Sequence, residues 1–476
     1  MLQKSLYVAI LLILILWYLL DQGEFSINLF KFNIIIVFIS TIIFLISNNS
    51  MYFKKQYFRH SLFILIGVLI VHFQYNVDLL IGNLAISDFN IWVNDKVINK
   101  AILLSSIGVI SFFLGYISLN KMPEGPTNID KLSFYGTKFL NFCGLALLIL
   151  YFYLANPLYF LGNYGIIDVG TEAAYVIVLF EICLSAAIIQ NTRNLLTVKK
   201  KYDPSPFEYL KYQGFLLNTM LGIYLISVLV SGDRGPILFF FLMYAGNYLF
   251  LTKRRIRPSY LFLGIFLGSS IITYLGDLRT ISGEFSFFTK VNILLNDKVE
   301  NRFGARTIIP QTQNLASSIR SLNFAVDYVP SKHDFLFGRF QFQQIMSLIP
   351  YSSNFYSFFF KENSKKYRSS ADFITWIDQG DFPFSGNGTT VVADYYCDFG
   401  LIGVLFGLFI VGYTAKYSEH IMFSSKNVSL FKHTFSIVIL ASSFYLSRSS
   451  FFILLKFITW TYLILVINKN IFNKAK

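Results

Sequence analysis

Four short stretches place charge where an apolar chain has no packing use for it. The first is Ser231-Gly232-Asp233-Arg234-Gly235-Pro236, a tight turn between two apolar runs. Pro236 suits the first turn of the helix that follows, and Gly232 and Gly235 let the backbone fold back sharply. Arg234 is thereby presented at the end of the turn. A guanidinium grips phosphate through its planar fork of donors; pairing with Asp233 across the turn is the structural alternative. The second stretch is Leu275-Gly276-Asp277-Leu278-Arg279, where Arg279 either binds an anion or snorkels from a helix end. The third is Leu446-Ser447-Arg448-Ser449-Ser450, with a lone base in a very short turn. One phosphate-rich ligand accounts for Arg234, Arg279 and Arg448 together, where separate explanations would otherwise be needed.

The fourth stretch runs from Gly386 to Gly403 and holds Asp394 and Asp398. Their i, i+4 spacing puts both on one face of a helix. A carboxylate held there can act as a general base toward a hydroxyl; the alternative is a helix-terminal acid that meets a nearby Arg. Glu181 and Lys456 lie inside apolar runs, where ionisable residues are functional candidates by default. Lys456 can equally pair with an acid to fix packing. His72 and His333 stand alone, and structural roles fit them better. The chain has no GxxxxGK[ST] loop, HExxH, GxSxG, clustered Cys/His or Asp-x-Asp pair. ATP hydrolysis, zinc chemistry and use of a soluble nucleotide sugar lose weight accordingly, and no metal or cofactor is implied.

The elements that must position these residues are apolar helices. Of 476 residues, 55% are hydrophobic, 18% aromatic and only 14% charged, well below the charged share of a soluble domain. A span needs about 20 apolar residues. Twelve candidates appear: 5–20, 27–47, 61–75, 101–119, 136–156, 174–190, 214–231, 236–252, 259–276, 400–417, 433–446 and 450–467. The stretch 61–75 is weakened by His72 and Gln74, and the last two are short. No small-residue cleavage site follows 5–20, so it reads as a retained first helix. Three cysteines make no disulfide framework.

Charge sorts the connections. One set carries Lys54/Lys55/Arg59, Lys121/Lys131, Arg193/Lys199/Lys200/Lys201, Lys253/Arg254/Arg255/Arg257, Lys416/Lys426/Lys432 and the Lys469/Lys474/Lys476 tail. The alternate set is poor in base and includes residues 276–400, with twelve basic and twelve acidic residues. Basic short loops mark the cytoplasmic side, so twelve spans with both termini inside put the long segment outside. The net charge of +14 is then an orientation signal with some attraction to anionic lipid. Bases dispersed over six loops do not make a nucleic-acid surface. The expected fold is an all-α polytopic membrane protein: residues 1–277 form helices one to nine, 278–399 a large outer loop with short helices, and 400–476 helices ten to twelve. Within that loop, Phe335 to Phe360 with its Pro350 break reads either as a membrane-surface or re-entrant helix pair or as an ordinary folded lid.

Three pieces of this pattern together resemble the Wzy-type O-antigen (polysaccharide repeat-unit) polymerases. They are the Gly232-Asp233-Arg234-Gly235-Pro236 turn, Gly338-Arg339 with Ile349-Pro350, and Gly388-Thr389-Thr390 through Ala393-Asp394-Tyr395-Tyr396-Cys397-Asp398-Phe399-Gly400 to Gly403. The resemblance spans roughly Ser231 to Gly412. Members often carry Glu-x-Tyr before Asn-Phe-Gly; here Asp394-Tyr395-Tyr396 and Asp398-Phe399-Gly400 stand in, which keeps a carboxylate but shortens it. The resemblance implies a GT-C-like, metal-independent glycosyltransferase of the bacterial inner membrane with its active site facing the periplasm. It would move a growing glycan from undecaprenyl pyrophosphate onto a new lipid-linked repeat unit, with Asp394, Arg234 and Arg279 catalytic. Asp233, Arg339, Arg448, Asp398 and Tyr395 would bind substrate. Implied partners are undecaprenyl-pyrophosphate-linked glycans, membrane lipid and a chain-length regulator protein, with no nucleic acid.

Other classes fit less well. A lipid-oligosaccharide flippase would lack the long outer segment, and a secondary transporter would show inverted repeats. An O-antigen ligase would favour a reactive His outside, where His333 is the single histidine.

Overall fold

The apolar runs form helices, and the charged stretches between them form turns or short helices. A computed structural model describes residues 2–21, 23–47, 56–119, 136–161, 167, 169–198, 203–257, 259–261, 263–264, 266, 268, 270, 281, 287–296, 307–350, 352, 360, 365–423 and 428–474. Among the described residues there are helices and no strand. Eight helices among the described residues are long and apolar enough to cross a membrane, and the pair Pro206–Gln213 and Phe215–Ser231, bent by 98°, makes a ninth if taken as one span. The bend falls at Gly214, whose φ of +95° suits glycine. Lys138–Leu154 and Leu430–Ser442 are shorter apolar helices. The predicted stretch 259–276 lies largely outside the described residues.

Helix His60–Leu80 shows why its apolar signal was weak. His72, Gln74, Asn76 and Asp78, on two sides of the helix, are all buried, so its polar side chains pack inside protein and the part-exposed positions, such as Leu62, Ile66 and Leu69, are apolar. The chain divides into two units, residues 1–122 with 301–419 and 443–453, and residues 123–300 with 420–442 and 454–476.

In the first unit, Asp95–Ser118 is the interior pillar: 89% of its span is buried, against 11% for Leu2–Leu20, which exposes Leu12, Leu16 and Leu19. Helix Val391–Phe423 lies against the pillar through glycines. A side chain at Gly115 would run into the Phe409 carbonyl, and one at Gly412 into that of Phe112. Small residues let helix backbones approach where no water drives them together. Glu419, fully buried, accepts the Tyr116 hydroxyl at 2.5 Å and the Ser61 N–H at 2.7 Å, tying three helices. Short helices Ile319–Tyr328, Arg339–Met346 and Ser370–Gln379 belong to this unit. The middle one has only eight residues and buries Arg339, Phe340, Gln341 and Gln343.

The second unit packs Lys138–Leu154 against Thr171–Val198 and adds Phe215–Ser231, Gly235–Thr252 and Leu430–Ser442. Glu181 accepts the Tyr224 hydroxyl at 2.6 Å. Farther along, a buried polar band joins Thr192 to Tyr209 at 2.8 Å and Asn191 to the Gln213 carbonyl at 3.1 Å. Polar side chains inside apolar spans thus meet one another instead of lipid. Cys143, Cys183 and Cys397 are free thiols.

Candidate active site

The site grows from the N-terminus of helix Val391–Phe423. The Thr390 hydroxyl accepts the Ala393 N–H at 3.1 Å and so caps the first turn. Asp394 and Asp398 then fall on one face, as their spacing predicts, and both are fully buried. At Gly400 the helix breaks, with φ +61° and ψ −143°; an added Cβ there would meet the Phe335 ring at 2.9 Å. The carbonyls of Cys397 and Asp398, released by the break, accept the N–H groups of Leu336 and Phe337 at 3.0 and 2.9 Å.

Asp394 gathers four side chains from three other parts of the unit. Gln341 donates to it at 2.8 Å, Gln344 at 3.2 and 3.1 Å, Ser370 at 2.5 Å and Ser450 at 2.9 Å. Its two oxygens therefore accept five contacts, which uses the acceptor capacity of an ionised carboxylate. Gln344 also accepts the Phe452 N–H at 3.1 Å through its carbonyl, so its amide is fixed in orientation. Asp398 accepts the N–H groups of Phe340 and Gln341 at 3.2 and 2.9 Å. It supplies negative charge at the N-terminus of Arg339–Met346, where the helix dipole favours it. Ser369 caps the helix that delivers Ser370, accepting the Asp372 N–H at 3.1 Å.

Two arginines of this unit, Arg339 and Arg448, lie on the elements that carry the network. Arg339 is buried with its guanidinium over Tyr367 at 4.2 Å and Phe360 at 4.7 Å. Stacking holds the plane while the donors stay at its edge. Arg448 donates to the Asn314 carbonyl at 3.3 Å, two residues before the Ser450 that Asp394 holds. Tyr395 is buried, its ring filling the space over Gly407, and its hydroxyl has no hydrogen-bond partner among the described residues.

The first unit therefore brings together Asp394, Asp398, Tyr395, Arg339 and Arg448. Asp233 and Arg234 belong to the second unit, and Arg279 lies outside the described residues. In the turn, Gly232 takes φ +86° and Asp233 accepts the Gly235 N–H at 3.1 Å, a bond that shapes the backbone around a buried Arg234. His333 pairs with the Tyr367 hydroxyl at 2.9 Å and the Asp334 carbonyl at 2.6 Å, among Tyr328 and Phe373, as a packed residue would. Among the described residues no three His, Cys, Asp or Glu side chains converge in a metal-binding arrangement.

Gln341, Gln344, Ser370 and Ser450 escape a reading of the sequence. Neutral amides and hydroxyls carry no motif, and their partner lies 24 to 56 residues away. One usable signal existed: the i, i+3 pair Gln341 and Gln344 sits in an otherwise aromatic stretch, where polar residues on one helix face need a polar partner.

No curated protein and no solved structure matches the chain. The family model described as O-antigen polysaccharide polymerase Wzy matches residues 5–476. That match covers nearly all of a chain whose apolar helices already make it a multi-pass membrane protein, and the chain belongs to the Wzy family of O-antigen polysaccharide polymerases.

Proposed function

We propose that this polymerase transfers a growing glycan from undecaprenyl pyrophosphate to the terminal sugar of a new lipid-linked repeat unit, at the periplasmic face of the inner membrane. The observation that carries the proposal, beside the family, is the Asp394 network. It joins the returning helix, two short helices of the long segment and the turn that bears Arg448.

In the reaction an acceptor hydroxyl attacks the anomeric carbon of the donor glycan. A glycosidic bond forms, the bond from that carbon to the pyrophosphate oxygen breaks, and the hydroxyl proton is released. The pyrophosphate is already a good leaving group, so no nucleotide is consumed. Arg234 and Arg279 neutralise the charge that develops on it, the task a divalent metal serves elsewhere, and Arg339 and Arg448 bind substrate. Asp233, Asp398 and Tyr395 shape the surrounding substrate contacts. Asp394 is the anion on which the site is built, and for it to act as general base one of its donors must leave.

Purified protein supplied with lipid-linked repeat units is expected to lengthen glycans beyond one unit in EDTA and without nucleotide. Loss of activity in EDTA, restored by Mg²⁺ or Mn²⁺, would sink the arginine-for-metal assignment. No elongation under any condition would point to transport.

The proposal also includes twelve spans with both termini cytoplasmic, a GT-C-like helix arrangement, a periplasmic segment of residues ~280–398 and a chain-length regulator as partner. Single cysteines placed at 365 and 199 are expected to label from opposite sides of the membrane. Labelling of both from one side would overturn the topology.

A further inference from the structure

We propose that Gln74 and Asp78 are positioning residues for Arg448, a role that rests on reading Arg448 as a phosphate-binding residue. Both lie on the last turns of helix His60–Leu80, one turn apart and buried. Asp78 accepts the Thr307 hydroxyl at 2.6 Å and the Ile308 N–H at 2.8 Å. Gln74 donates to the Thr307 hydroxyl at 2.8 Å and to the Ile309 carbonyl at 3.0 Å, and accepts the Thr312 hydroxyl at 2.5 Å. Two side chains thus clasp residues 307–312 by five hydrogen bonds. The clasped segment runs directly into helix Gln313–Ala316, where the Asn314 carbonyl takes the Arg448 guanidinium.

The same helix holds Arg448 from its other side. The Tyr445–Arg448 turn sits on Gly67, where an added Cβ would lie 2.6 Å from the Phe444 carbonyl and 2.7 Å from the Ser447 hydroxyl. Gly67 and Gln74 are seven residues apart, roughly 10 Å along a helix. One rigid element therefore seats the backbone of the Arg448 turn and places the carbonyl that orients its side chain. The chemistry of the clasp fits this task. A buried carboxylate is costly, and this one is spent on a hydroxyl, a side-chain amide (Asn83 at 3.1 Å) and a main-chain N–H of irregular chain. A phosphate fork tolerates little displacement, since an error of about 1 Å can cost on the order of 100-fold in rate.

The test is a double-mutant cycle on the purified full-length protein with lipid-linked repeat units. Asp78→Asn is expected to raise KM and lower kcat/KM on the order of 10- to 100-fold. Thr307→Val is expected to reproduce part of that loss, while Thr307→Ser keeps near-normal activity. Asp78→Asn combined with Arg448→Ala is expected to be no worse than Arg448→Ala alone, because the clasp acts through that side chain. Additive losses in the double variant, or a fully active Asp78→Asn, would overturn the clasp. A fully active Arg448→Ala would instead defeat the reading of Arg448 itself. If Asp78→Asn fails to accumulate, Thr307→Val combined with Arg448→Ala carries the same test with the buried carboxylate in place.

Discussion

Arg234→Lys is expected to stop chain growth at one or a few repeat units while the protein accumulates normally. Lysine keeps the charge but replaces a planar, five-donor fork with a point charge. If Arg234 braces the leaving pyrophosphate, the lost bidentate contact acts in the transition state, where removal of one such donor costs roughly 10²–10³ in rate. Arg234→Ala should be at least as severe. The side chain is buried behind a turn whose backbone is held by Gly232, Asp233 and Gly235, so the replacement changes chemistry at a fixed place. Polymer-length profiles on gels and membrane protein levels measure the two sides of the claim. Normal polymer length in Arg234→Ala would remove Arg234 from the site.

The second large effect belongs to Asp394. Asparagine is almost the same shape, but its amide nitrogen would face donors where the carboxylate offered an acceptor. Gln341, Gln344, Ser370 and Ser450 cannot all be satisfied by one amide oxygen, and each buried polar group left unpaired costs about 1–3 kcal/mol. Asp394→Asn is therefore expected to lose on the order of 100-fold or more in elongation rate and to melt at a lower temperature. Gln344→Ala and Ser450→Ala should reproduce part of both losses. A general base predicts another pattern: a comparable rate loss of about 10²–10⁴, an unchanged melting temperature, and little effect of Ser450→Ala. Melting curves and elongation rates measured on the same preparations decide between the two.

What could be read from the sequence, and what could not, follows from the range of each signal. Apolar periodicity is local, so Ile27–Ser47 coincides with the stretch expected of it, and Asp95–Ser118 covers nearly all of the expected 101–119 while starting six residues earlier. The i, i+4 pair Asp394 and Asp398 is local too, and its shared face is present. The Asp394 donors are not local. Gln341, Ser370 and Ser450 become neighbours only through folding over tens of residues, and no spacing rule announces a neutral donor. His72 and Gln74 argued against a span because hydropathy counts polar groups as costs without knowing their partners. In the fold His72 meets Ser105 at 3.2 Å, and Gln74 meets Thr307 and Thr312.

The break at Gly400 has a consequence for exchanging parts among relatives. Because the helix opens there, two of its carbonyls are completed by Leu336 and Phe337, and the Phe335 ring occupies the room that any other residue at 400 would need. The long segment is thus stitched into the membrane helix rather than hung between two of them. A chimera cut where the helix begins, near Val391, would separate Leu336 and Phe337 from the Cys397 and Asp398 carbonyls that they complete. The smallest inheritable piece that keeps both these bonds and the side-chain contacts of Asp394 and Gln344 runs from about Phe335 through Phe452. Substrate preferences carried by the loop should travel between polymerases only when that whole piece is moved.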